Sequence, residues 1–319
     1  MSEYAIQVKG LTKHYGKVKA VTNLDLNVKS GTVHGFLGPN GAGKTTVIKS
    51  LLGLVTPNAG TVSIFGLDLF SHRLEIMKKV GAVVEAPVIF EDFTAYENLL
   101  YLSRLSDIHR KEITRSRIEE TLDIVGLTDV ANRRVKTFSY GMKQRLGIAQ
   151  TLLPRNKLVF LDEPTNGLDP HGIVSVRRLI KKISSELNIT VFLSSHLLSE
   201  VEQVCDYVTI IDYGVKIRES KTTDLVAERN LIELLTTAVD LFEKYSDSKK
   251  ITITSKNDAG NGQTQFLFEG SETDVPTLVA DLVAAEIEIF SIKKHQNTLE
   301  EIFVELTGQN SNNSVTDRF

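Results

Sequence analysis

The sequence predicts an α/β fold in which a parallel sheet carries a phosphate-binding loop. Val33-His34-Gly35-Phe36-Leu37 has the pattern of a compact buried strand, and Lys44 to Leu54 has the length and apolar spacing of a helix. Between them Gly38-Pro39-Asn40-Gly41-Ala42-Gly43-Lys44-Thr45 completes a G-x-x-x-x-G-K-[ST] loop, in the strand, loop and helix order that a P-loop requires. Leu158 to Leu161 and Thr190 to Leu193 are further short apolar, β-branched runs, separated by a helical stretch around Val174 to Leu187. Such alternation is expected of parallel strands joined by helices.

With 319 residues, 41% of them hydrophobic, the chain can bury a full core and is long enough for a large and a small domain. Its formal charge of -3 shows no excess of Lys and Arg, so a nucleic-acid partner is not expected. The lone Cys205 cannot form an internal disulfide, which fits a reducing compartment. No apolar run reaches the roughly 18 residues needed to span a bilayer, and Met1 to Tyr4 lack the basic and apolar regions of a signal peptide. The chain is therefore expected not to enter a membrane by itself.

The elements before the loop, Ile6 to about Gly16 and Leu24 to Val28, read as short antiparallel strands. From about Phe70 to Leu153 the pattern becomes helical, which predicts a helical subdomain over about 86–155, and Thr94 with Glu97 has capping-box spacing. The nucleotide-binding domain is expected to close near residue 220. Leu231, Leu234, Leu235, Ala238 and Phe242 then fall on one helical face, predicting a linker helix within 221–250, followed by a loop from Tyr245 to Lys250. A small α/β domain over 251–308 should follow: a hairpin of alternating Ile251/Ile253 and Phe266/Phe268, then helix, strand and helix. The last helix carries Leu299, Ile302, Phe303 and Leu306 at core spacing behind a Thr298/Glu301 capping box. The polar tail, 309–319, is expected to be disordered.

The loop's chemistry follows from its residue types. Gly38, Gly41 and Gly43 permit tight turns that aim backbone N–H groups and a helix N-terminus at phosphate oxygens, with Pro39, Asn40 and Ala42 completing the cradle. Lys44 neutralises β and γ phosphates, Thr45 offers its hydroxyl to Mg²⁺, and Thr46 is placed for the α-phosphate region. Asp162 and Glu163 end an apolar run, where adjacent acids are costly unless a cation or a proton serves them. Asp162 is accordingly read as a magnesium ligand and Glu163 as the base that orients and deprotonates the attacking water. Ser139 and Gly141 precede a helix from about Met142 to Leu153, a second anion site far along the chain.

Over roughly residues 3 to 220 these motifs, in this order, resemble the ATP-binding cassette (ABC) transporter ATPases. Phe138-Ser139-Tyr140-Gly141-Met142-Lys143-Gln144-Arg145 looks like the family's signature, Leu161 to Asp169 its Walker B motif and D-loop, and Ser195-His196 its switch. The resemblance implies ATP as substrate, Mg²⁺ as its counterion, Tyr15 as the ring that stacks on adenine, and His196 as a γ-phosphate contact. It further implies that Ser139, Gly141 and Asp169 act across a dimer, so that one ATP lies between two cassettes. Two departures stand out. Glu85 occupies a position where the family commonly has glutamine, and is expected to reach the metal region; Tyr140 and Met142 stand where Gly and Gln are frequent.

The Glu85-Ala86-Pro87 loop, the Gly141-Met142-Lys143-Gln144-Arg145-Leu146 variant and the appended small domain look like the cassettes of bacitracin, lantibiotic and drug exporters. The resulting expectation is a transport ATPase, peripheral on the cytoplasmic face of the membrane, paired with a second cassette and driving a separate integral-membrane permease. A non-transport ABC ATPase would be expected to carry two cassettes or a long coiled-coil insertion, and neither is visible. A regulatory module, with the small domain sensing a ligand, is the remaining alternative.

Overall fold

The computed structural model describes residues 3–105, 114–227, 231–270, 275–295 and 298–303. They divide into two compact units, one reaching Thr222 and the other beginning at Thr223.

The first unit opens with strands β1 (Tyr4–Tyr15), β2 (Val18–Lys29) and β3 (Val33–Leu37), then helix α1 (Lys44–Leu51). Strands β4 (Ala59–Ile64) and β5 (Leu67–Asp68), the short helix α2 (Arg73–Met77) and strand β6 (Val80–Val83) follow. The helical stretch contains α3 (Ala95–Leu105), α4 (Arg115–Ile124) and α5 (Tyr140–Leu152). The chain then runs β7 (Leu158–Asp162), α6 (Pro170–Ser185), β8 (Thr190–Ser195), α7 (Leu198–Val204), β9 (Tyr207–Asp212) and β10 (Val215–Lys221).

Two sheets organise this unit. An antiparallel sheet has the order β2-β1-β4-β5, as the alternating patterns of the first two strands anticipated. A six-stranded sheet has the order β10-β9-β3-β8-β7-β6, parallel except for β10. Its central strands β3, β7 and β8 are buried at every residue, which explains why they read as continuous apolar runs. Helix α6 turns Val176, Leu179, Ile180 and Ile183 inward at 3.6-residue spacing. The predicted capping box is made in full: Thr94 N–H donates to Glu97 Oε2 at 2.8 Å, and Glu97 N–H to Thr94 Oγ1 at 3.1 Å.

The second unit departs from the expected linker. After α8 (Thr222–Ala227), Leu231–Thr236 is not helical but forms strand β11, followed by α9 (Val239–Lys249). The expected loop at Tyr245 to Lys250 is thus the last turn of α9 and its left-handed cap at Lys250. Strands β12 (Ile253–Gly260) and β13 (Gln263–Glu269) make the predicted hairpin, and α10 (Val275–Ala284) and β14 (Ser291–His295) follow. The sheet order is β12-β13-β11-β14, so β11 is an interior strand of the small unit rather than a connector to it. Leu231, Leu234 and Leu235 match helical spacing by coincidence. What decides is partnership: Ile232 and Leu234 sit opposite Phe268 and Phe266 in the β11/β13 register, and all four are buried with Phe242, Leu282 and Ile287 in a separate core. A helix at 299–303 begins with the Thr298/Glu301 box. Leu306 and the tail 309–319 lie outside the described residues.

His34 lies in the middle of this architecture. Fully buried on β3, it stacks between Phe192 and Tyr207 and brings Nε2 to 2.9 Å from Thr209 Oγ1. Burial, and secondarily the charge of Lys216, push its pKa down to about 3. The folded state therefore holds a neutral imidazole while the unfolded chain takes up a proton below its ordinary value of 6.5. Stability from this site is full above that value and is lost as pH falls toward 3, by roughly a tenfold change in the unfolding equilibrium per pH unit. Denaturant melts of wild type and His34→Phe between pH 7 and 4 should show the steeper loss in wild type; parallel slopes would refute it.

Candidate active site

Strands β3, β8 and β7 are neighbours and parallel, so their carboxyl ends meet at one edge of the sheet. That edge is where open α/β sheets bind ligands. The loop after β3 leads into α1, β7 ends in Asp162 and Glu163, and β8 ends just before His196. Three distant segments of sequence thus arrive together.

The loop itself has the form of an anion cradle. Gly43 adopts φ 101° at the N-cap of α1, and a side chain there would strike Ala20 O at 2.4 Å, so glycine is required. No side chain caps α1 and no acid occupies its first turn, which leaves its N-terminal amides for a ligand. Lys44 is 6% exposed, and its ammonium donates to Gly38 O at 2.7 Å and Pro39 O at 3.2 Å. A cleft of about 620 Å³ opens in front of it, lined by Asn40, Gly41, Gly43, Lys44, Thr45 and Thr46 together with Glu163 and His196. Asn166, from the Leu161 to Asp169 motif, and Val18, Lys19, Ala20 and Tyr213 complete its walls; the last four had no sequence signal.

Glu163 binds the site together. It sits in the left-handed region at φ 49°, and its carboxylate spans two partners: Oε1 lies 3.2 Å from Lys44 Nζ, and Oε2 2.6 Å from His196 Nδ1. An ionised carboxylate only accepts, so the shared proton is carried by Nδ1 of His196. Asp162 is buried and hydrogen-bonded on both oxygens, accepting from Thr45 Oγ1 at 3.1 Å and from Ser194 Oγ at 2.5 Å. Ser194 Oγ also accepts from Glu163 N–H at 3.0 Å. One hydroxyl therefore clasps both acids of the pair, a role the sequence reading did not assign to it.

Residues at the rim are placed differently. Tyr15 is exposed, with Lys13 Nζ 5.1 Å from its ring centre, and does not line the cleft. Glu85 was expected near the metal; instead its carboxylate meets Lys49 Nζ at 2.8 Å, one turn beyond Thr45 on α1. Lys49 holds the Glu85 carboxyl below its ordinary range, and Glu85 raises the Lys49 ammonium. The acid is thus partnered by a cation of the protein, where a neutral glutamine would need none. Ser139 N-caps α5, accepting from Met142 N–H at 3.3 Å, and Asp169 N-caps α6, accepting from Gly172 N–H at 2.8 Å. Gly141 packs near Gly172, since a methyl on it would lie 3.5 Å from Gly172 Cα. None of Ser139, Gly141 and Asp169 lines the cleft of Lys44.

Comparison with known proteins agrees with this geometry. The family described as ABC transporter matches residues 21–166. The bacitracin transport ATP-binding protein of Bacillus licheniformis is 42% identical over 310 residues, covering 95% of this chain and 97% of that protein. The lantibiotic transport ATP-binding protein of Streptococcus pyogenes is 40% identical over 239 residues, 75% of this chain and 99% of that one. Among solved structures, a Clostridium perfringens protein that is part of an ABC transporter complex superimposes with TM-score 0.66 at 27% identity, over 71% of this chain and 92% of its own. A P-loop cleft on a mixed α/β core, with a helical insertion before the acid-bearing strand β7, defines the class as an ABC-type ATPase. The chain belongs to the ABC transporter ATP-binding proteins, and it binds and hydrolyses ATP as the ATPase subunit of a transporter. Among the described residues no helix is long and apolar enough to cross a membrane.

The clasp makes Ser194 testable. Ser194→Ala removes the donor to Asp162 and the acceptor of Glu163 N–H together. Steady-state ATPase kinetics should show kcat reduced by about 10- to 100-fold with KM for ATP within about twofold. An unchanged kcat would remove Ser194 from the site.

Proposed function

We propose that this chain is the motor of an exporter for a peptide antibiotic or drug, and that it works as one of two cassettes, in the simplest case two copies of itself. The observation that carries the pairing is the separation of the two anion sites. The Lys44 cleft is a complete half-site, whereas the Ser139-capped helix α5 does not border it. Two chains related by a two-fold axis would place each α5 N-terminus against the other's cleft, with Asp169 at the junction. The export reading rests on the bacitracin and lantibiotic transport proteins that resemble this chain over most of its length.

The residues present fit Mg-ATP. Thr45 Oγ1 and Asp162 Oδ2 lie 3.1 Å apart beside the uncapped N-terminus of α1, hard oxygen donors of the kind Mg²⁺ takes alongside phosphates and water. Thr45 and Asp162 would hold it, and when bound it supplies charge neutralisation for the breaking bond. Both oxygens of Glu163 are now engaged by Lys44 and His196. The γ-phosphate attracts those same two groups, so nucleotide binding releases Glu163 to accept a proton from water. The water oxygen then attacks the γ-phosphorus, the bond to the bridging oxygen breaks, and ADP leaves with that electron pair. His196 and Lys44 stabilise the charge on the transferring group.

The helical insertion is proposed as the permease contact. Phe90, Phe93 and Tyr101 form an exposed aromatic cluster with ring centroids 4.9 to 5.8 Å apart, beside exposed Val88. Lys136–Asp92 and Lys143–Glu91 ion pairs anchor the loop that carries it. Such a cluster fits a short apolar helix at the cytoplasmic face of a permease.

Glu163→Gln should bind ATP, fail to hydrolyse it and become trapped as a pair. Light-scattering mass with Mg-ATP, with Mg-ADP and without nucleotide checks this: a doubling specific to ATP is expected. A monomer throughout would exclude self-pairing in solution. In a parallel Mg²⁺ titration, Glu85→Ala should leave the half-maximal Mg²⁺ concentration within about twofold of wild type, because Lys49 already holds that carboxylate; a larger shift would return Glu85 to the metal.

A further inference from the structure

Helix α6 starts at the Asp169 cap, and α7 starts two residues after His196. Between the two helices Arg177 meets Glu200, with Nη2 to Oε1 at 3.0 Å, and Nη1 of Arg177 donates to Gln203 Oε1. Glu200 is 6% exposed and Arg177 is half-buried, so the pair is largely withdrawn from solvent. It borders a gap of about 10 Å³ that is also walled by Pro164 and Thr165, directly after Glu163, and by Ser195, directly before His196. That space holds no ligand larger than a water. The pair's position, immediately behind both catalytic segments, therefore points to mechanics and not to binding.

Its geometry is half-made. Arg177 Nε and Glu200 Oε2 are both buried without a hydrogen-bond partner among the described residues. A guanidinium set side-on to a carboxylate would satisfy both through a two-bond fork. Unmet buried donors and acceptors are costly, so any shift of α7 along α6 that closes the fork is favoured locally. Leu197 N–H donates to Ser195 Oγ at 3.0 Å, and Glu200 and Val201 N–H donate to Leu197 O at 3.2 and 3.4 Å, so the first turn of α7 is tied directly to the residues on either side of His196.

We infer that Arg177 and Glu200 are positioning residues for hydrolysis: their ion pair sets α7 against α6 and thereby sets the reach of His196 to Glu163 and to the γ-phosphate. The inference rests on the ATPase mechanism given above. It also provides a physical link between α6, whose cap Asp169 is proposed to face the second cassette, and the switch histidine.

Arg177→Met and Glu200→Gln test it, with Arg177→Lys as the conservative variant and Glu163→Gln as the inactive reference. Neither side chain lines the nucleotide cleft. Expected are a kcat lowered by about tenfold in each single variant, with KM for ATP and nucleotide binding within about twofold. Arg177→Lys, which keeps the charge but cannot close the fork, should fall between wild type and Arg177→Met. The double variant should be no slower than the slower single one, because both act through one contact. Should Arg177→Met fail to fold, the near-isosteric Glu200→Gln still decides, with binding of a fluorescent ATP analogue as the folding control. Wild-type kcat in Glu200→Gln and Arg177→Lys, even with a lowered melting temperature, would overturn the positioning role and leave the ATPase intact. A raised KM at constant kcat would also overturn it. A wild type as slow as Glu163→Gln would overturn both readings.

Discussion

One carboxylate organises the site. Glu163 reaches Lys44 with one oxygen and His196 with the other, and the three residues follow three adjacent strands. The parallel order β3-β8-β7 is the condition for that meeting, because only parallel neighbours deliver three carboxyl ends to one edge. Burial of Lys44 is tolerable because two carbonyls and the carboxylate surround it. The same encirclement engages both oxygens of Glu163.

Charge around this centre is balanced in pairs. Glu85 replaces a neutral residue of the family pattern, and Lys49 answers it from the next turn of the helix that carries Thr45. Asp162 is held by two hydroxyls, each from a different neighbouring element. Ser194 lies directly opposite Asp162 in the β7/β8 register, so its hydroxyl needs only the correct pairing of two strands to reach the acid pair. Arg177 and Glu200 extend the same logic one layer back, where the helices after the two catalytic segments meet. Each pair converts the position of a secondary-structure element into the position of a reacting group.

The two anion sites of the chain lie apart. Ser139 and Asp169 cap their helices and pack near one another through Gly141 and Gly172, away from the cleft. Under the proposed pairing, halves that join around nucleotide would couple the chemical state to a change in assembly, which a permease can read as movement. The exposed aromatic cluster of the helical insertion lies in this same unit of the chain.

Whatever depended on contiguous residues was legible in the sequence. The loop from Gly38 to Thr45 and the two capping boxes are local, since a glycine with positive φ or a Thr-x-x-Glu box acts within four residues. Central strands were readable because burial on both faces demands unbroken apolar runs. Strand β11 was misread as helix because Leu231, Leu234 and Leu235 fall at helical spacing, whereas the face it buries carries Ile232 and Leu234, and only β13 and β14 on either side decide between the two. Ser194, Lys49, Arg177 and Glu200 carried no signal for a related reason: a serine or an ion pair is ordinary until the fold places it beside a particular partner. The sequence by itself determined the reaction, because phosphate chemistry demands a few residue types at fixed short spacing. The tertiary structure decided which groups hold those residues in place, because hydrogen bonds between distant segments exist only once strands are in register.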